Sequence, residues 1–233
     1  AGLDLEKLMK PRPGSARKAP LEVLTPPRPA RRSEDTPSKG PPPAAVLSRV
    51  VDHYHEVFCR HEEAQAFMKQ RGITDTALLK ALKVGYADGS LLKRVGKEGE
   101  ARKQLQHLGV ITDRGRELMG GCIVVPIPDP LTGQWTSLYG RGRRTKRHCY
   151  LPGPFRGVVN FQAARLASEV ILTESILDAM SFHQAGLSTA IPIYGTHGFT
   201  ADHLDLLKRE GVSRVVLALD NDEAGKRATA SLE

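Results

Sequence analysis

Three short apolar runs in the last third of the chain constrain the fold more than any other feature. They span 169–173, 189–194 and 214–219, and a helical pattern follows each of them. Continuous apolar runs are typical of parallel strands covered on both faces, and the intervening helices supply the crossovers that such strands require. We therefore predict an α/β fold (α+β over the whole chain) with a parallel sheet flanked by helices.

Acidic residues follow two of these predicted strands. Glu174 comes after the first strand, with Asp178 one helical turn later, and Asp220 and Asp222 come after the third. Because parallel strands end at the same edge of a sheet, we expect these carboxylates to lie together. Clustered carboxylates stay ionised at low cost only beside a cation, and all-oxygen ligands suit Mg²⁺ or Mn²⁺. The alternative is that the acids cap helix N-termini, where the helix dipole favours negative charge.

Residues 1–46 have the composition of a linker. They hold ten of the 16 prolines and nine Lys or Arg against five Asp or Glu. Proline blocks helix interiors, and the segment has few large apolar side chains with which to form a core. We predict a disordered, basic, proline-rich linker with a further domain on its N-terminal side, or alternatively a disordered tail.

The segment 47–166 is predicted to be a small mixed subdomain of helices and a β-hairpin. Apolar residues recur at three- and four-residue steps through much of 44–110, which predicts several short helices. The apolar run 122–128 is typical of a strand, and the turn residues of 129–133 lead into a return strand. The parallel sheet would then occupy 167–233.

A dense group of basic residues follows the return strand. The chain has a formal net charge of +8, which favours polyanionic partners, with nucleic acid first among them. Phosphate contacts by such a group depend on salt and hardly on base sequence, as a template groove requires. A solvated loop is the alternative. This group, the basic run, comprises Arg141, Arg143, Arg144, Lys146, Arg147 and His148.

Two further features exclude whole classes of protein. No apolar stretch approaches the ~18 residues of a membrane-spanning helix, so we expect no membrane partner. Three cysteines, Cys59, Cys122 and Cys149, lie far apart in the sequence. Their number and spacing exclude a disulfide scaffold and a self-contained four-cysteine zinc site, and they suit a reducing compartment.

The acidic motifs resemble those of the TOPRIM domain, which bacterial primases, type IA and II topoisomerases and some nucleases share. Its first motif is a strand that ends in glutamate with a helical aspartate after it, which Glu174 and Asp178 match. Its second is Asp-x-Asp after a strand, followed in primases by Ala-Gly, which 220–225 match. Residues 167–233 therefore resemble a TOPRIM domain, which we expect to be incomplete at its C-terminal end.

Upstream segments narrow the resemblance to the RNA-polymerase core of DnaG-type bacterial primases. The helical segment 54–87, the strand 123–127 and the stretches 139–141 and 149–152 occur in the order of the matching segments of that core. The implied activity is metal-dependent synthesis of short RNA primers on single-stranded DNA during replication. The enzyme would be a DNA-directed RNA polymerase (primase), a nucleotidyltransferase of the primosome.

The resemblance also implies roles for individual residues and partners. Asp220 and Asp222 would bind Mg²⁺ or Mn²⁺, Asp178 would assist, and Glu174 would act beside the metal as ligand or general base. The basic run would hold the single-stranded DNA template or ribonucleoside triphosphates. A replicative helicase would be a further partner, and zinc would occupy only a ribbon upstream of this chain. The protein would be cytoplasmic and associated with the bacterial nucleoid.

Two departures from the family pattern leave alternatives open. Ser175 and Asn221 stand where the family usually has glycine, which makes the chain similar to a diverged relative of the phage or mobile-element kind. One alternative is a TOPRIM module that has lost catalysis and serves in DNA binding or assembly. The other is a TOPRIM phosphotransfer enzyme such as a nuclease, although nucleases of this group have a different neighbour in place of 44–160.

Overall fold

The structure is a computed structural model that describes residues 43–232. The predicted linker lies outside the described residues except for its last positions, which begin the first helix. Within 43–232 no helix is both long and apolar enough to cross a membrane. The elements are α1 (Pro43–Arg60), α2 (Glu62–Gln70), α3 (Thr76–Ala81), β1 (Gly85–Tyr86), α4 (Ser90–Val95), α5 (Glu100–His107), β2 (Cys122–Pro128), β3 (Trp135–Gly142), β4 (His148–Tyr150), α6 (Gln162–Leu166), β5 (Glu169–Thr173), α7 (Ile176–Gln184), β6 (Ala190–Pro192), α8 (Ala201–Arg209), β7 (Arg214–Ala218) and α9 (Glu223–Leu232).

The first three helices lie where the apolar periodicity indicates them. Asp75 is the N-cap of α3, and its carboxylate accepts two backbone N–H bonds of the first turn at 2.8 and 3.1 Å. A glycine shortly after a helical pattern predicts the end of that helix, but α3 ends earlier, at Ala81, and Gly85 belongs to β1. A Cβ at this position would lie 2.7 Å from the Tyr54 Cβ, so glycine lets β1 approach α1 closely.

The predicted hairpin forms the centre of a four-stranded antiparallel sheet with the order β1-β2-β3-β4. Its two faces bury different cores. Ile123 and Val125 pack with residues of α2, α3 and α7, and we call this side the inner face. Cys122 and Val124 pack with α1 and the loop after α5, and we call this side the outer face. The alternation of side chains along a strand produces this division.

The second sheet is parallel, as predicted, with the order β6-β5-β7. Its register pairs Thr173 of β5 with Pro192 of β6 and with Ala218 of β7, so all three strands end at one edge. β6 is shorter than the apolar run from which it was predicted, because the backbone turns at Tyr194 (φ 62°) and Gly195 (φ 100°). The loops that carry the candidate functional residues leave this edge.

One core continues between the two sheets. Ile176 and Met180 of α7 pack in the same buried cluster as Ile123 and Val125 of β2. The α7 side chain of Gln184 also accepts the Asp75 backbone N–H at 2.9 Å. These contacts hold the inner face of the antiparallel sheet against the parallel sheet. The division at 166/167 stays a prediction, because packing is shared across it.

Candidate active site

Glu174 and Asp220 lie side by side at the carboxyl edge of the parallel sheet. β5 and β7 are paired neighbours, and each residue follows its strand by one or two positions. The Glu174 Oε2 accepts the backbone N–H of Asp220 at 3.4 Å. Asp222 follows in the same loop. The structure thus brings these three carboxylates to one edge, where the ends of the predicted strands place them.

The surroundings of Glu174 in this cluster raise the pKa of its carboxyl group. Its side chain is half-buried, and burial is the main cause that raises its pKa above the usual value. The negative charges of Asp220, Asp222 and Asp178 raise the pKa further, while the Asp220 N–H opposes them. The three aspartates are therefore close enough to repel the Glu174 carboxylate, and a divalent cation would relieve that repulsion.

Two of the four acids also cap helices, as the alternative interpretation holds. Asp178 accepts the Ser175 N–H at 3.0 Å, and the Ser175 hydroxyl accepts the Asp178 N–H at 3.2 Å, which makes a capping box at the start of α7. Asp222 accepts the Gly225 N–H at 2.8 Å at the start of α9. Each bond uses one oxygen, and a carboxylate has a second with which to bind a ligand.

The acids do not form a ready-made metal cage. Among residues 43–232, no three His, Cys, Asp or Glu side chains are arranged to hold one ion. Glu174 bonds to a backbone N–H, and Asp178 and Asp222 bond to helix N-termini, so their oxygens would have to turn to share an ion. The chemistry of the donor set fits Mg²⁺ or Mn²⁺, because it consists of carboxylate oxygens without thiolate or imidazole.

Arg141 of the basic run lies on the inner face of the antiparallel sheet. Its guanidinium contacts His148, whose Nδ1 lies 2.8 Å from the Tyr139 hydroxyl on the inner face. Burial raises the pKa of Tyr139 to about 12, Arg141 and Arg71 lower it, and Asp178 raises it. The same tyrosine therefore lies near cations of the inner face and an acid of α7.

Arg143 and Arg144 also lie towards the inner face, where they pair with Glu63 of α2 at 2.5 and 3.5 Å. Arg143 is largely buried and lies over the Tyr86 ring, 5.8 Å from its centroid. Lys146 is exposed in the turn between β3 and β4. Arg143 is therefore part of the packing, whereas the exposed side chains of Arg144 and Lys146 can reach a ligand.

Arg147 lies on the other side of the sheet. Its guanidinium donates to the Leu118 carbonyl on the outer face. The structure thus places the basic run on two surfaces, which the count of charges along the sequence does not indicate.

Sequence reasoning placed His148 in the basic run but missed Arg71 and Tyr139 as components of this site. Arg71 lowers the pKa of both Tyr139 and His148, and its own side chain lies over the Phe67 ring at 5.1 Å. Arg71 has only Lys69 as a cationic neighbour in its segment, so no local density of charge singles it out. Only the packing of α2 beside the β3–β4 hairpin brings it to Tyr139.

Comparison with known protein families identifies the class of domain to which the parallel sheet is similar. Residues 171–233 match the family described as Toprim-like. The match covers β5 to α9 and includes all four acids. The parallel sheet and its carboxylate edge are therefore those of a TOPRIM domain.

The relatives and solved structures extend the similarity upstream. The chain is 32% identical over 182 residues to a DNA primase of Deinococcus radiodurans (70% of this chain, 31% of the relative). It is 29% identical over 199 residues to a DNA primase of Helicobacter pylori strain J99 (78% and 35%). A DnaG catalytic core superposes with a TM-score of 0.70 at 23% identity (81% of this chain, 65% of that chain). The structure of the DnaG catalytic domain bound to single-stranded DNA superposes with a TM-score of 0.67 at 24% identity (81% of this chain, 66% of that chain).

The chain spans about a third of the length of these two relatives. It has the fold of the DnaG catalytic core, with a TOPRIM domain at the C-terminal end. The protein is thus a relative of the DnaG-type bacterial primases.

Proposed function

We propose that this chain is the core of a primase-type nucleotidyltransferase, which joins ribonucleotides on a single-stranded DNA template during replication. The observation that carries the proposal is the carboxylate edge itself. Asp220 and Asp222 follow one strand, Glu174 follows its neighbour, and their charges raise the pKa of Glu174. Such an edge is suited to a divalent cation.

Asp220 and Asp222 would hold Mg²⁺ or Mn²⁺, and Asp178 would assist from α7. When bound, the ion lowers the pKa of an attacking hydroxyl and neutralises charge on the leaving pyrophosphate. Glu174 would be a ligand or the general base. Its raised pKa suits the second role, because a base works best when its pKa approaches the working pH.

The inner-face arginines would hold the phosphates of the template or of the incoming nucleotide. The charges of Arg141 and Asp178 both act on the pKa of Tyr139, which supports a nucleotide site between the hairpin and α7. The structural neighbour solved with single-stranded DNA supports a DNA template as the partner. The helicase, the upstream zinc ribbon and the nucleoid location remain predictions.

Neither alternative function has an observation of its own in its favour. One of the two departures that suggested lost catalysis, Ser175, has a structural explanation, because its hydroxyl caps α7 at Asp178. Nothing in the structure explains the other, Asn221. The nuclease alternative requires a different neighbour for the TOPRIM domain. Here the upstream segment has the fold of a primase core instead.

A primer-synthesis assay tests the proposal. The full-length protein is given single-stranded DNA, ribonucleoside triphosphates and Mg²⁺ or Mn²⁺, and we expect short RNA products. Asp220→Asn/Asp222→Asn should abolish them. Glu223→Gln is the matched control, since Glu223 is exposed and, within residues 43–232, its one ion pair is with Lys226 at 3.6 Å. Cleavage of the DNA would favour the nuclease, and DNA binding without either product would favour the binding module.

A further inference from the structure

A cavity of about 650 Å³ lies on the outer face of the antiparallel sheet. Arg114 and Arg116, from the hairpin after α5, line it together with Arg147 of the basic run. None of the four acids of the candidate active site contributes to its wall. Sites for small ligands commonly have about 300–1,000 Å³, so the volume suits a ligand of nucleotide size.

The hairpin that carries two of these arginines is well ordered by its own hydrogen bonds. Ile111 and Glu117 form an antiparallel bridge, and the Thr112 backbone N–H donates to the Arg116 carbonyl at 2.8 Å. Arg102 of α5 donates to the Gly115 carbonyl at the tip at 2.9 Å. The arginines are therefore presented from a fixed backbone, which reduces the entropy lost when they bind a ligand.

The three arginines are available to an anion. Across 43–232, neither Arg114, Arg116 nor Arg147 forms an ion pair with an acid. The planar guanidinium group binds phosphate with two parallel hydrogen bonds. Two acids, Asp113 and Glu117, also line the cavity, so three positive charges face two groups that can be negative.

The floor of the cavity offers a place for a base. Glu117 is only 8% exposed, and it accepts the Tyr54 hydroxyl at 3.2 Å and the Leu92 N–H at 3.4 Å. The half-buried side chains of Leu92 and Leu118 add apolar surface to the wall. The arginines at the rim match the phosphates of a nucleotide. The apolar wall, with a carboxyl group at the floor, matches its base.

We propose that this cavity binds a free nucleoside di- or triphosphate at a site separate from the carboxylate edge. The proposal does not depend on the proposed function. A mononucleotide fits better than a DNA strand, because Arg141, Arg143 and Arg144 lie towards the inner face and give no continuous track of cations to the cavity. The arginines hold the phosphates, and the apolar wall covers the base.

Calorimetric titration with ATP, in EDTA so that the carboxylate edge holds no cation, tests the site on the 233-residue chain. Arg114→Ala/Arg116→Ala should weaken ATP binding at least about tenfold, since two charge-assisted contacts are lost. The matched control, Arg49→Ala/Arg227→Ala, removes two exposed helix arginines outside the cavity and should leave the affinity within about twofold. Asp220→Asn/Asp222→Asn should also bind ATP as the wild type does.

Equal ATP affinity in the wild type and in Arg114→Ala/Arg116→Ala would overturn the proposal, as would failure of the wild type to bind ATP. Displacement of ATP by a twelve-nucleotide single strand in the wild type and in Asp220→Asn/Asp222→Asn alike would assign the cavity to DNA and also overturn it. Hydrogen exchange on the wild type gives an independent measurement. ATP should slow exchange in 110–118, and protection confined to the carboxylate loops would contradict the site.

Discussion

At the scale of single residues, Ser175 shows that a departure from a family pattern can serve the fold. Glycine, the usual residue of the family there, has no side chain with which to cap a helix. The serine hydroxyl accepts the Asp178 N–H at 3.2 Å and completes a capping box with the aspartate. The motif alone does not indicate this, because the capping role depends on where α7 begins.

Replacing Ser175 measures the strength of this cap. Ser175→Ala should lower the free energy of unfolding by about 1 kcal/mol, whereas Ser175→Gly should cost only a few tenths. Glycine tolerates the N-cap backbone and leaves the N-terminal N–H groups open to water. Urea denaturation of the wild type, Ser175→Ala and Ser175→Gly measures the three free energies of unfolding. If alanine proves as stable as serine, the hydroxyl contributes nothing to α7.

Cys149 is the second residue with a testable environment. The neighbouring Cys122 thiol lowers its pKa to about 7, burial opposes this, and Arg147 lowers the pKa further. In a Cys59→Ala chain, iodoacetamide alkylation of Cys149, followed by mass spectrometry, should therefore rise with pH around a midpoint near 7. Cys122→Ala should move that midpoint up towards the ~8.5 of a free thiol. A midpoint near 8.5 in both chains would exclude the thiol pair.

At the scale of elements, the length of a helix or strand decides whether the sequence pattern predicts it. The apolar run 122–128 has the same bounds as β2. The bounds of α8 likewise agree with those of the helical pattern that follows the second predicted strand. β1 and β4 have two and three residues, which is too short for an alternation to be visible. They form because their neighbours in the sheet pair with them, so tertiary contacts rather than local preference determine them.

His203 gives α8 a pH dependence. Its Nε2 donates to the Pro192 carbonyl at 3.0 Å, its Nδ1 accepts the Thr200 N–H at 3.2 Å, and burial lowers its pKa to about 4. Between pH 6.5 and 4 the unfolded chain binds a proton that the folded chain does not. Stability should therefore fall as the pH falls through this range, by roughly 3 kcal/mol from this group.

Urea denaturation at several pH values checks this expectation. His203→Gln should be less stable at pH 7.5, because it loses the hydrogen bonds of the imidazole. Since glutamine cannot titrate, this variant should lose less stability than the wild type between pH 6.5 and 4.5. The same loss in both chains would assign the pH dependence to other groups.

The β3–β4 hairpin should bind DNA with one of its two sides. Arg141→Ala/Arg144→Ala should reduce the salt dependence of single-stranded DNA binding by about 1.4 in slope, since each phosphate contact contributes roughly 0.7. Arg147→Ala, on the outer face, should leave the slope unchanged. Fluorescence anisotropy across a salt series measures all three chains. Equal effects of the two sides would mean that the strand passes around the hairpin.

At the scale of the whole molecule, the two sheets combine features that lie far apart in the sequence. The ends of β5 and β7 predict that Glu174 and Asp220 meet, because parallel strands share an edge. That Arg141 of the β3–β4 hairpin and Asp178 of α7 both influence the pKa of Tyr139 could not be predicted, because it follows from the packing of α7 on the inner face. The same packing separates Arg147 from Arg141, although the sequence places them six residues apart.

A manganese titration followed by electron paramagnetic resonance tests the carboxylate edge most directly. The chain should bind Mn²⁺, and Asp220→Asn/Asp222→Asn should abolish the binding, while Glu223→Gln should leave it unchanged. Asparagine caps α9 as well as aspartate does and removes the mutual repulsion, so stability without metal should stay equal or rise. Unchanged Mn²⁺ affinity in the folded double variant would contradict a cation site formed by Asp220 and Asp222.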